Sequence, residues 1–270
     1  MSKSFLKWAG GKSKSISFIE ESLPFNIKRF IEPFAGSAVV SLNIAADEYI
    51  LADYNEDLIN VFTFLKQEKS SFIEYCRTFF RTANKEEIYY KNRDRFNSIS
   101  INIERAALFI YLNRHSFNGL CRYNSSGKFN VPFGRYKTIY FPEREMEVFI
   151  KKSDRFQFKC CGFEETFKMC EDGDVYYADP PYIPLNDTAY FTSYTDEVFS
   201  FEKQNALVSL AEDSNCLVLI SNHWVPGVTE ELYKNGNTDR RKYINRSIGA
   251  AGDSRKKVEE VLVIYNKHLG

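Results

Sequence analysis

The stretch from Asp174 to Tyr182, which reads Asp-Val-Tyr-Tyr-Ala-Asp-Pro-Pro-Tyr, decides the fold. Residues 175–178 form an apolar and aromatic run of the length and composition typical of a short buried strand. Pro180 and Pro181 lack backbone N–H groups, so a central strand must end before them. Asp179 is therefore expected at the carboxyl end of a strand, the edge where open α/β sheets bind ligands.

The residues at this strand end suit the binding of a flat nitrogenous base through its amino group. Asp179 supplies a carboxylate, Pro180 supplies a fixed carbonyl, and Tyr182 supplies a ring that can stack. The alternative is purely structural, because Asp before Pro often starts a turn and a Tyr after a turn often only covers a core. The occurrence of all four residues directly after a strand favours function.

The composition indicates a soluble globular protein. The 270 residues, 44% apolar and 16% aromatic, allow one large α/β domain or a domain with a sizeable insertion. No run approaches the ~20 apolar residues that span a bilayer, and the first residues lack the apolar core of a signal peptide. We expect a cytoplasmic protein. The six cysteines form no Cys-x-x-Cys pair and the three histidines are scattered, so neither a zinc site nor a disulfide framework is expected.

Charge is distributed unevenly along the chain. The net charge is zero, which by itself argues against a general nucleic-acid binder. However, the stretch Arg105–Phe141 contains no acid, and a second basic stretch, Arg240–Lys257, contains only Asp253. A local excess of one sign gives a directed field even when the total charge cancels.

The N-terminal third predicts a Rossmann-like βαβ unit. Residues 28–43 read as strand, turn and helix, and residues 49–53 as a second strand that ends in Asp53, 17 residues after Gly36. This spacing is close to the ~20 residues between a glycine turn and a ribose-binding acid. Ala38 stands where the dinucleotide fingerprint has a further Gly, so the loop favours S-adenosylmethionine over NAD. An ordinary βα turn with a solvated Asp53 is the alternative.

The sequence Gly11-Lys12-Ser13 resembles the end of a phosphate-binding P-loop, but the chain does not support that interpretation. The upstream Gly that the motif needs would fall at Leu6, and no strand precedes it. These glycines more plausibly let the backbone approach a ligand, with Lys12 opening a helix through about Glu21.

Hydrophobic periodicity predicts the remaining elements. Apolar spacing indicates helices over residues 56–100, 103–113, 142–151 and 201–211, a buried strand over 216–222 and a last strand over 257–265. Residues 183–199, with aromatic side chains among polar ones, are expected to form an active-site lid.

Residues 114–137 differ in character from the helices before them. Basic, amide and aromatic side chains alternate without acids, and residues 123–129 resemble a β-hairpin. This mixture suits phosphate contacts, base-edge hydrogen bonds and base stacking on one surface. A polar hairpin on a solvated surface is the alternative.

The whole chain resembles the Dam-type, alpha-class family of DNA adenine-N6 methyltransferases. The resemblance rests on residues 5–12, 30–42, 50–57, 111–137, 179–182, 221–223 and 255–262, in that order. It implies an α/β fold: a Rossmann-like methyltransferase domain with a mixed, mostly parallel sheet (residues 1–55 and 156–270), and a mainly helical DNA-recognition insert with a β-hairpin (residues 56–155). The chain departs from the family pattern at Ala38 and Gly162, where relatives often carry a Gly and an acid.

The resemblance also implies the reaction and its residues. It implies methyl transfer from S-adenosyl-L-methionine to N6 of a flipped-out adenine, by direct in-line displacement and without a metal, with S-adenosyl-L-homocysteine as product. The implied catalytic residues are Asp179, Pro180, Pro181 and Tyr182. The implied cofactor contacts are Trp8, Gly10, Lys12, Phe34, Ala35, Gly36, Ser37, Asp53, Phe163 and Asp179.

The implied partner is double-stranded DNA, bound by a monomer within the sequence GATC. Arg122 and Leu120 would read base edges, Lys7 an outer guanine, and Phe117 with Asn118 would insert into the base stack. Pro132 would pack near the site. The implied phosphate contacts are Arg93, Arg114, Asn124, Asn130 and Arg135.

Three other functions are compatible with parts of the pattern. The same motif could methylate a protein glutamine or an RNA base, although the basic insert would then have no purpose specific to duplex DNA. A DNA-binding module that kept the fold would bind DNA but not S-adenosylmethionine. An NAD-dependent dehydrogenase is disfavoured by the loop around Gly36.

Overall fold

The computed structural model describes residues 1–183, 199–245 and 257–266. Helices α1–α10 in those residues are Ile16–Glu20, Val39–Asn43, Glu56–Glu68, Ser70–Phe80, Glu86–Ser98, Ile103–His115, Glu143–Ser153, Phe163–Phe167, Phe201–Asp213 and Val228–Leu232. Strands β1–β7 are Arg29–Glu32, Glu48–Ala52, Phe156–Lys159, Val175–Ala178, Leu217–His223, Asn237–Asn245 and Lys257–Tyr265. Two short 3₁₀ helices cover Lys12–Ser15 and Phe117–Gly119. None of the helices described is long and apolar enough to cross a membrane.

The chain divides into two compact units, which interleave along the sequence. The first unit comprises Met1–Ser17, Ala35–Ile44 and Asp53–Cys160, and the second comprises Phe18–Phe34, Ala45–Ala52 and Cys161–Gly270. The family resemblance divides the chain by function, into a catalytic domain and a DNA-recognition insert, whereas these two units are defined by compactness. Their boundaries stay a prediction.

The first unit is mainly helical and is built around α6. This helix packs against α3, α4 and α5, and every residue from Ala106 to Asn113 is buried. A helix with apolar residues on all sides must be covered on all sides. A second cluster of rings fixes the N-terminal segment, since Phe5 and Phe62 lie 5.3 and 5.1 Å from the ring of Phe149.

The second unit contains six of the seven described strands, paired in the order β2-β1-β4-β5-β7-β6. The pairs β1–β2, β1–β4 and β4–β5 are parallel, whereas β5–β7 and β6–β7 are antiparallel. All four residues of β4 are buried, as a strand inside a parallel sheet requires. Arg29 at the start of β1 donates to both carboxylate oxygens of Asp174 just before β4, at 3.1 and 3.0 Å. This sheet is the mixed, mostly parallel one that the sequence predicted.

Most predicted elements are confirmed, with shifts of one or two residues at their ends. The predicted helix over 56–100 is three helices, and the one expected over 103–113 extends to His115. The sequence does not predict strand β6, because its run Arg240, Arg241 and Lys242 indicates only a basic stretch. The predicted lid lies almost wholly outside the described residues.

Candidate active site and nucleic-acid interface

In the second unit, Asp179 follows the last residue of β4 directly, as the sequence predicted. Asp179 is partly exposed although its Oδ1 atom is buried, whereas Pro180 is buried and Pro181 is exposed. The ring of Tyr182 packs edge-on against His223, with the two centroids 4.6 Å apart. The motif therefore presents a carboxylate, a prolyl carbonyl and an oriented ring at the carboxyl end of a parallel strand.

Buried side chains hold the backbone of this turn from below. The side-chain amide of Gln204 donates to the carbonyl of Pro181 at 2.8 Å, and Asn222 accepts the N–H of Ile183 at 3.0 Å. His223 Nδ1 lies 2.8 Å from the carbonyl of Ile183. Asn222 in turn donates to Gln204 at 3.2 Å and to Tyr233 at 2.7 Å. Because prolines cannot supply ladder N–H groups, these bonds take over the role of the strand ladder.

Sequence reasoning assigned no role to Gln204, Asn222 or His223. The available signal was the polar pair at positions 222 and 223, which ends the buried strand β5 beside β4. Polar residues at the carboxyl end of a neighbouring parallel strand lie at the same edge as the motif.

The two phenols nearest the motif stay neutral. Burial raises the pKa of Tyr177 and of Tyr182, and the charge of Asp179 raises both further. Tyr177 also shares a hydrogen bond of 2.8 Å with Ser221. Negative charge at this strand end is therefore carried by a carboxylate rather than by a phenolate.

Phe34 and Phe163, both predicted cofactor contacts, stack on each other with centroids 5.9 Å apart. Phe34 is partly exposed, whereas the side chain of Phe163 is completely buried. Phe163 belongs to the apolar cluster under the sheet, together with Tyr176 and Phe199. Of the two rings, Phe34 is the one that a ligand could reach without rearrangement.

In the first unit, the structure brings Trp8, Gly36 and Asp53 together. The carboxylate of Asp53 accepts the N–H of Gly36 at 3.0 Å and that of Asn55 at 2.9 Å. Gly36 has a φ of +47°, and a Cβ there would lie 2.6 Å from Nε1 of Trp8. Only glycine fits this position, for steric and for conformational reasons.

Asp53 is partly exposed, yet burial of its carboxylate raises its pKa, and the two N–H donors from Asn55 and Gly36 oppose that rise. Ala38 also has a left-handed backbone, with φ of +56°. This conformation costs a non-glycine residue about 1–2 kcal/mol.

Lys12 and Ser37 are less available than the sequence suggested. Lys12 is 5% exposed and its ammonium group donates to the carbonyl of Gly10 at 2.8 Å. Ser37 is also buried, and its carbonyl accepts a bond of 2.8 Å from the hydroxyl of Ser4. Ala35 is buried as well. These residues shape the loop from within.

Also in the first unit, α6 is followed by a tight turn that exposes two predicted DNA contacts. Phe117 is 50% exposed and Asn118, with a φ of +54°, is exposed. The N–H of Phe117 donates to the carbonyl of Pro132 at 2.9 Å, so this turn is fixed by a residue from later in the chain. An exposed ring on a fixed turn is suited to insertion between bases.

Residues 122–130 form a short hairpin, as the sequence predicted, but with only an isolated bridge between Tyr123 and Phe129. Its two arms are joined by backbone bonds from Asn130 to Arg122 (3.1 Å) and from Asn124 to Lys128 (2.9 Å). Arg122 Nε also donates to the side chain of Asn130 at 2.9 Å. Arg122 and Asn124 are exposed, whereas Phe129 is buried. The residues predicted to contact DNA thus lie on one face of the hairpin.

The remaining predicted cations differ in how freely they are held. Arg135 is 77% exposed, with one contact of 3.5 Å to Glu86. Arg93 donates to the carbonyl of Val131 at 3.4 Å, and Arg114 to that of Tyr140 at 3.2 Å. Of the three, Arg135 is therefore the one whose guanidinium can turn toward a phosphate at little cost.

Lys7 is also held by neighbouring groups of the first unit. Its ammonium group lies 3.3 Å from the carbonyl of Arg114 and 4.1 Å from the ring centroid of Tyr136. Burial lowers the pKa of Lys7, and the charge of Arg114 lowers it further. Leu120, the remaining predicted base contact, is partly exposed.

This sheet order, with a Rossmann-like parallel half and an acid at the end of its central strand, defines a protein of the methyltransferase fold class. The sequence model of D12 class N6 adenine-specific DNA methyltransferases matches residues 8–247. The chain belongs to this family and is an adenine-specific DNA methyltransferase.

Curated relatives agree with this assignment. The DNA adenine methylase of Haemophilus influenzae is 43% identical over 97% of this chain and 93% of its own. The DNA adenine methylases of Vibrio cholerae and Escherichia coli K12 are 43% and 42% identical, over 99% and 97% of this chain and 97% and 95% of theirs. Among solved structures, the putative methyltransferase yhhF of Escherichia coli aligns over 97% of this chain and 90% of its own, at 10% identity and a TM-score of 0.37. That last similarity is too low to carry an argument.

Proposed function

We propose that this enzyme methylates N6 of adenine within GATC in double-stranded DNA, with S-adenosylmethionine as methyl donor. The observation that carries the proposal is the position of Asp179, a partly exposed acid directly after β4 on a turn whose backbone is fixed by Gln204 and Asn222. The protein would act as a monomer and, since its substrate is DNA, in the cytoplasm.

The residues of the first unit fit an adenosyl group. Gly36 has no side chain between its backbone and the indole of Trp8, so a ligand can approach the backbone of this loop closely. The Asp53 carboxylate already accepts two N–H groups and can also accept ribose hydroxyls. In the proposal, Trp8, Gly10, Gly36 and Asp53 contact S-adenosylmethionine, and the buried Lys12, Ala35 and Ser37 fix the loop that carries these contacts. Phe34, which stacks on the buried Phe163, and Asp179 are the other proposed contacts to the cofactor. The cofactor would supply the activated methyl carbon: the adenine nitrogen bonds to it in line as its bond to the sulfonium sulfur breaks, S-adenosylhomocysteine leaves, and the methylated nitrogen loses one proton to solvent.

The catalytic turn, residues 179–183, acts on the amino group of adenine. That group is part of the paired and stacked duplex, so the base must first leave the helix. Asp179 and the carbonyl of Pro180 accept its two N–H groups, which draws the nitrogen lone pair out of conjugation with the ring. Tyr182 stacks on the base, with His223 supporting its ring. Because positive charge develops on the nitrogen during transfer, the carboxylate stabilises the transition state.

Residues 114–137, the recognition segment, supply most of the proposed contacts to DNA, and Lys7 and Arg93 supply the others. Phe117 and Asn118 enter the stack beside the extruded adenine, and Arg122 with Leu120 reads base edges. Lys7 reads an outer guanine, and Pro132, which is exposed, packs near the site. Phosphates are held by Arg93, Arg114, Asn124, Asn130 and Arg135. The exposure of Phe117, Asn118, Arg122 and Arg135 supports these roles.

The decisive experiment is tritium transfer from labelled S-adenosylmethionine to defined duplexes. We expect label in a duplex containing GATC, little in duplexes with one base pair changed, and protection of the product from nucleases that cut unmethylated GATC. Label at another sequence would overturn the assigned site. Transfer to RNA or to protein, with none to DNA, would overturn the substrate.

A further inference from the structure

The hairpin over residues 122–130 has an inner face that faces the helices of the first unit. Side chains alternate along extended arms, so Tyr123 and Phe129 point away from Arg122 and Asn124. Their two rings meet edge-on with centroids 5.8 Å apart. Phe129 is held by Asn97 of α5, which accepts its N–H at 2.8 Å and donates to its carbonyl at 3.0 Å.

Tyr123 makes a different kind of contact on this inner face. Its hydroxyl donates to Oδ2 of Asp57 at 2.7 Å. Asp57 lies in the first turn of α3, is 6% exposed, and is paired with Arg105 of α6, whose Nη2 lies 3.1 Å from the same oxygen. Arg105 also donates to the carbonyls of Phe96 and Ile99, at 2.7 Å each. Arg105, although it belongs to the acid-free stretch, is therefore used inside the first unit. It fixes the Asp57 carboxylate that accepts the hydrogen bond from Tyr123.

The hydroxyl is a firm donor. Burial raises the pKa of Tyr123, and the neighbouring charge of Asp57 raises it further, so the phenol stays protonated. Hydrogen bonds to a charged acceptor are about twice as strong as neutral ones. The side chain of Asn55 opposes this rise in the pKa of Tyr123 without reversing it, and the backbone N–H of Asn55 donates to Asp53. One short segment, residues 53–57, thus carries the proposed ribose-binding acid and anchors the hairpin.

We propose that Tyr123 is a positioning residue for sequence recognition, whose bond to Asp57 fixes the hairpin so that Arg122 meets one base pair in a single orientation. The proposal rests on the proposed role of Arg122 as a base reader. Arg122 Nε is tied to Asn130 across the hairpin, which leaves the terminal amino groups of the guanidinium outside that contact. A bidentate contact to guanine needs those groups in a fixed plane.

The position of the hairpin depends strongly on the hydroxyl of Tyr123, because few other bonds fix it. The two arms of the hairpin form no regular ladder, only the bridge between Tyr123 and Phe129 and a few backbone bonds. A hairpin without further strands is marginal by itself. Without the hydroxyl, Asn97 would still hold the arm of Phe129, but the arm that carries Arg122 would lose its charged anchor.

The test is Tyr123→Phe, which keeps the ring and leaves the pair of Asp57 and Arg105 intact. The measured quantity is discrimination, the ratio of kcat/KM for a GATC duplex to that for duplexes changed at one base pair. We expect discrimination at one base pair to fall by about tenfold, with unchanged discrimination elsewhere, unchanged S-adenosylmethionine binding and little change in thermal unfolding. The matched control is Tyr140→Phe, which removes an exposed hydroxyl bonded to Glu145 at 2.9 Å and should leave discrimination unaltered.

A double-mutant cycle with Arg122→Ala separates the inference from the function on which it rests. If Tyr123 acts through Arg122, Tyr123→Phe should have no further effect on discrimination in the Arg122→Ala background. If Arg122→Ala alone leaves discrimination unchanged, the role of Arg122 is wrong. If Arg122→Ala relaxes discrimination but Tyr123→Phe does not, or lowers kcat/KM equally for every duplex, the positioning role of Tyr123 is wrong.

Discussion

The catalytic turn of the second unit and the recognition segment of the first, residues 114–137, are stabilised in different ways. The turn extends from β4, which is paired on both sides by parallel strands. The recognition segment has no strand in a sheet and is fixed by side chains of neighbouring helices. Asn97 bonds both backbone groups of Phe129, and Asn113 bonds both backbone groups of Lys7, at 2.8 and 2.7 Å, and the carbonyl of Gly119 at 3.1 Å.

The difference matches what each region has to do. Methyl transfer depends on distances that must not vary, and a carboxylate at the end of a central strand is held by the whole sheet. Reading DNA requires a surface that projects and can adapt, and buried asparagines satisfy the backbone of such a segment without a sheet. We therefore expect substitutions in the turn to change the rate of chemistry, and those in the segment to change how DNA is bound.

The largest effect is expected for Asp179→Ala. Loss of the carboxylate removes a charge that stabilises the transition state, so kcat should fall by at least about a thousandfold, while binding of a GATC duplex stays largely intact. Single-turnover methylation and fluorescence anisotropy measure the two quantities. Asp47→Ala, an exposed acid of the same unit, is the control. Parallel loss of binding and rate would remove the distinction between the two regions.

His115, at the end of α6, gives the recognition segment a pH dependence of its own. Burial lowers the pKa of this histidine from 6.5 to about 4, against the bond of its ring to the carbonyl of Tyr111. The unfolded chain binds the proton more tightly, so stability is fully present above pH 6.5 and is lost as the pH falls toward 4. The full shift corresponds to roughly 3 kcal/mol.

This loss can be measured by chemical denaturation across that pH range. His115→Gln should flatten the pH dependence of unfolding compared with the unmodified protein. Amide hydrogen exchange should show that the added protection at higher pH lies in residues around 114–137, since Gly134 donates its N–H to the carbonyl of His115 at 2.8 Å. Equal slopes for the two proteins would show that His115 does not titrate in the way its burial requires.

The catalytic turn could be located from the sequence because its determinants are adjacent. A buried run followed by two prolines fixes the end of β4 and the position of Asp179 by local rules alone. The supports of the recognition segment could not be found in this way. Asn97 and Phe129 are 32 residues apart, and Asn113 and Lys7 are 106 apart. From the sequence, a polar residue on a predicted helix is expected to face solvent, and only the fold shows that Asn97 and Asn113 bond the backbone of distant residues.

Asn222→Ala probes the turn without touching the proposed reacting groups. It removes the acceptor for the N–H of Ile183 and the donor to Gln204, which itself holds the carbonyl of Pro181. A buried hydrogen bond left unmade costs about 1–3 kcal/mol, so we expect kcat to fall by roughly tenfold to a hundredfold with KM for DNA unchanged. Asn205→Ala, on the exposed face of α9, is the control. A rise in KM without a change in kcat would place Asn222 outside the support of the turn.

Arg135→Ala tests the most exposed cation of the recognition segment, and its effect should be the smallest of the four. The side chain is 77% exposed and only loosely paired with Glu86, so its removal should hardly alter stability. If Arg135 neutralises one phosphate, affinity should fall alike for every duplex, and the slope of log K against log salt should decrease by about 0.9. Titrations of a GATC duplex and of a scrambled one over a range of salt measure both quantities. Lys151→Ala, an exposed cation on α7, should leave the slope unchanged. A loss restricted to the GATC duplex would instead make Arg135 a reader of bases, and the segment would then contain a second specificity determinant beside Arg122.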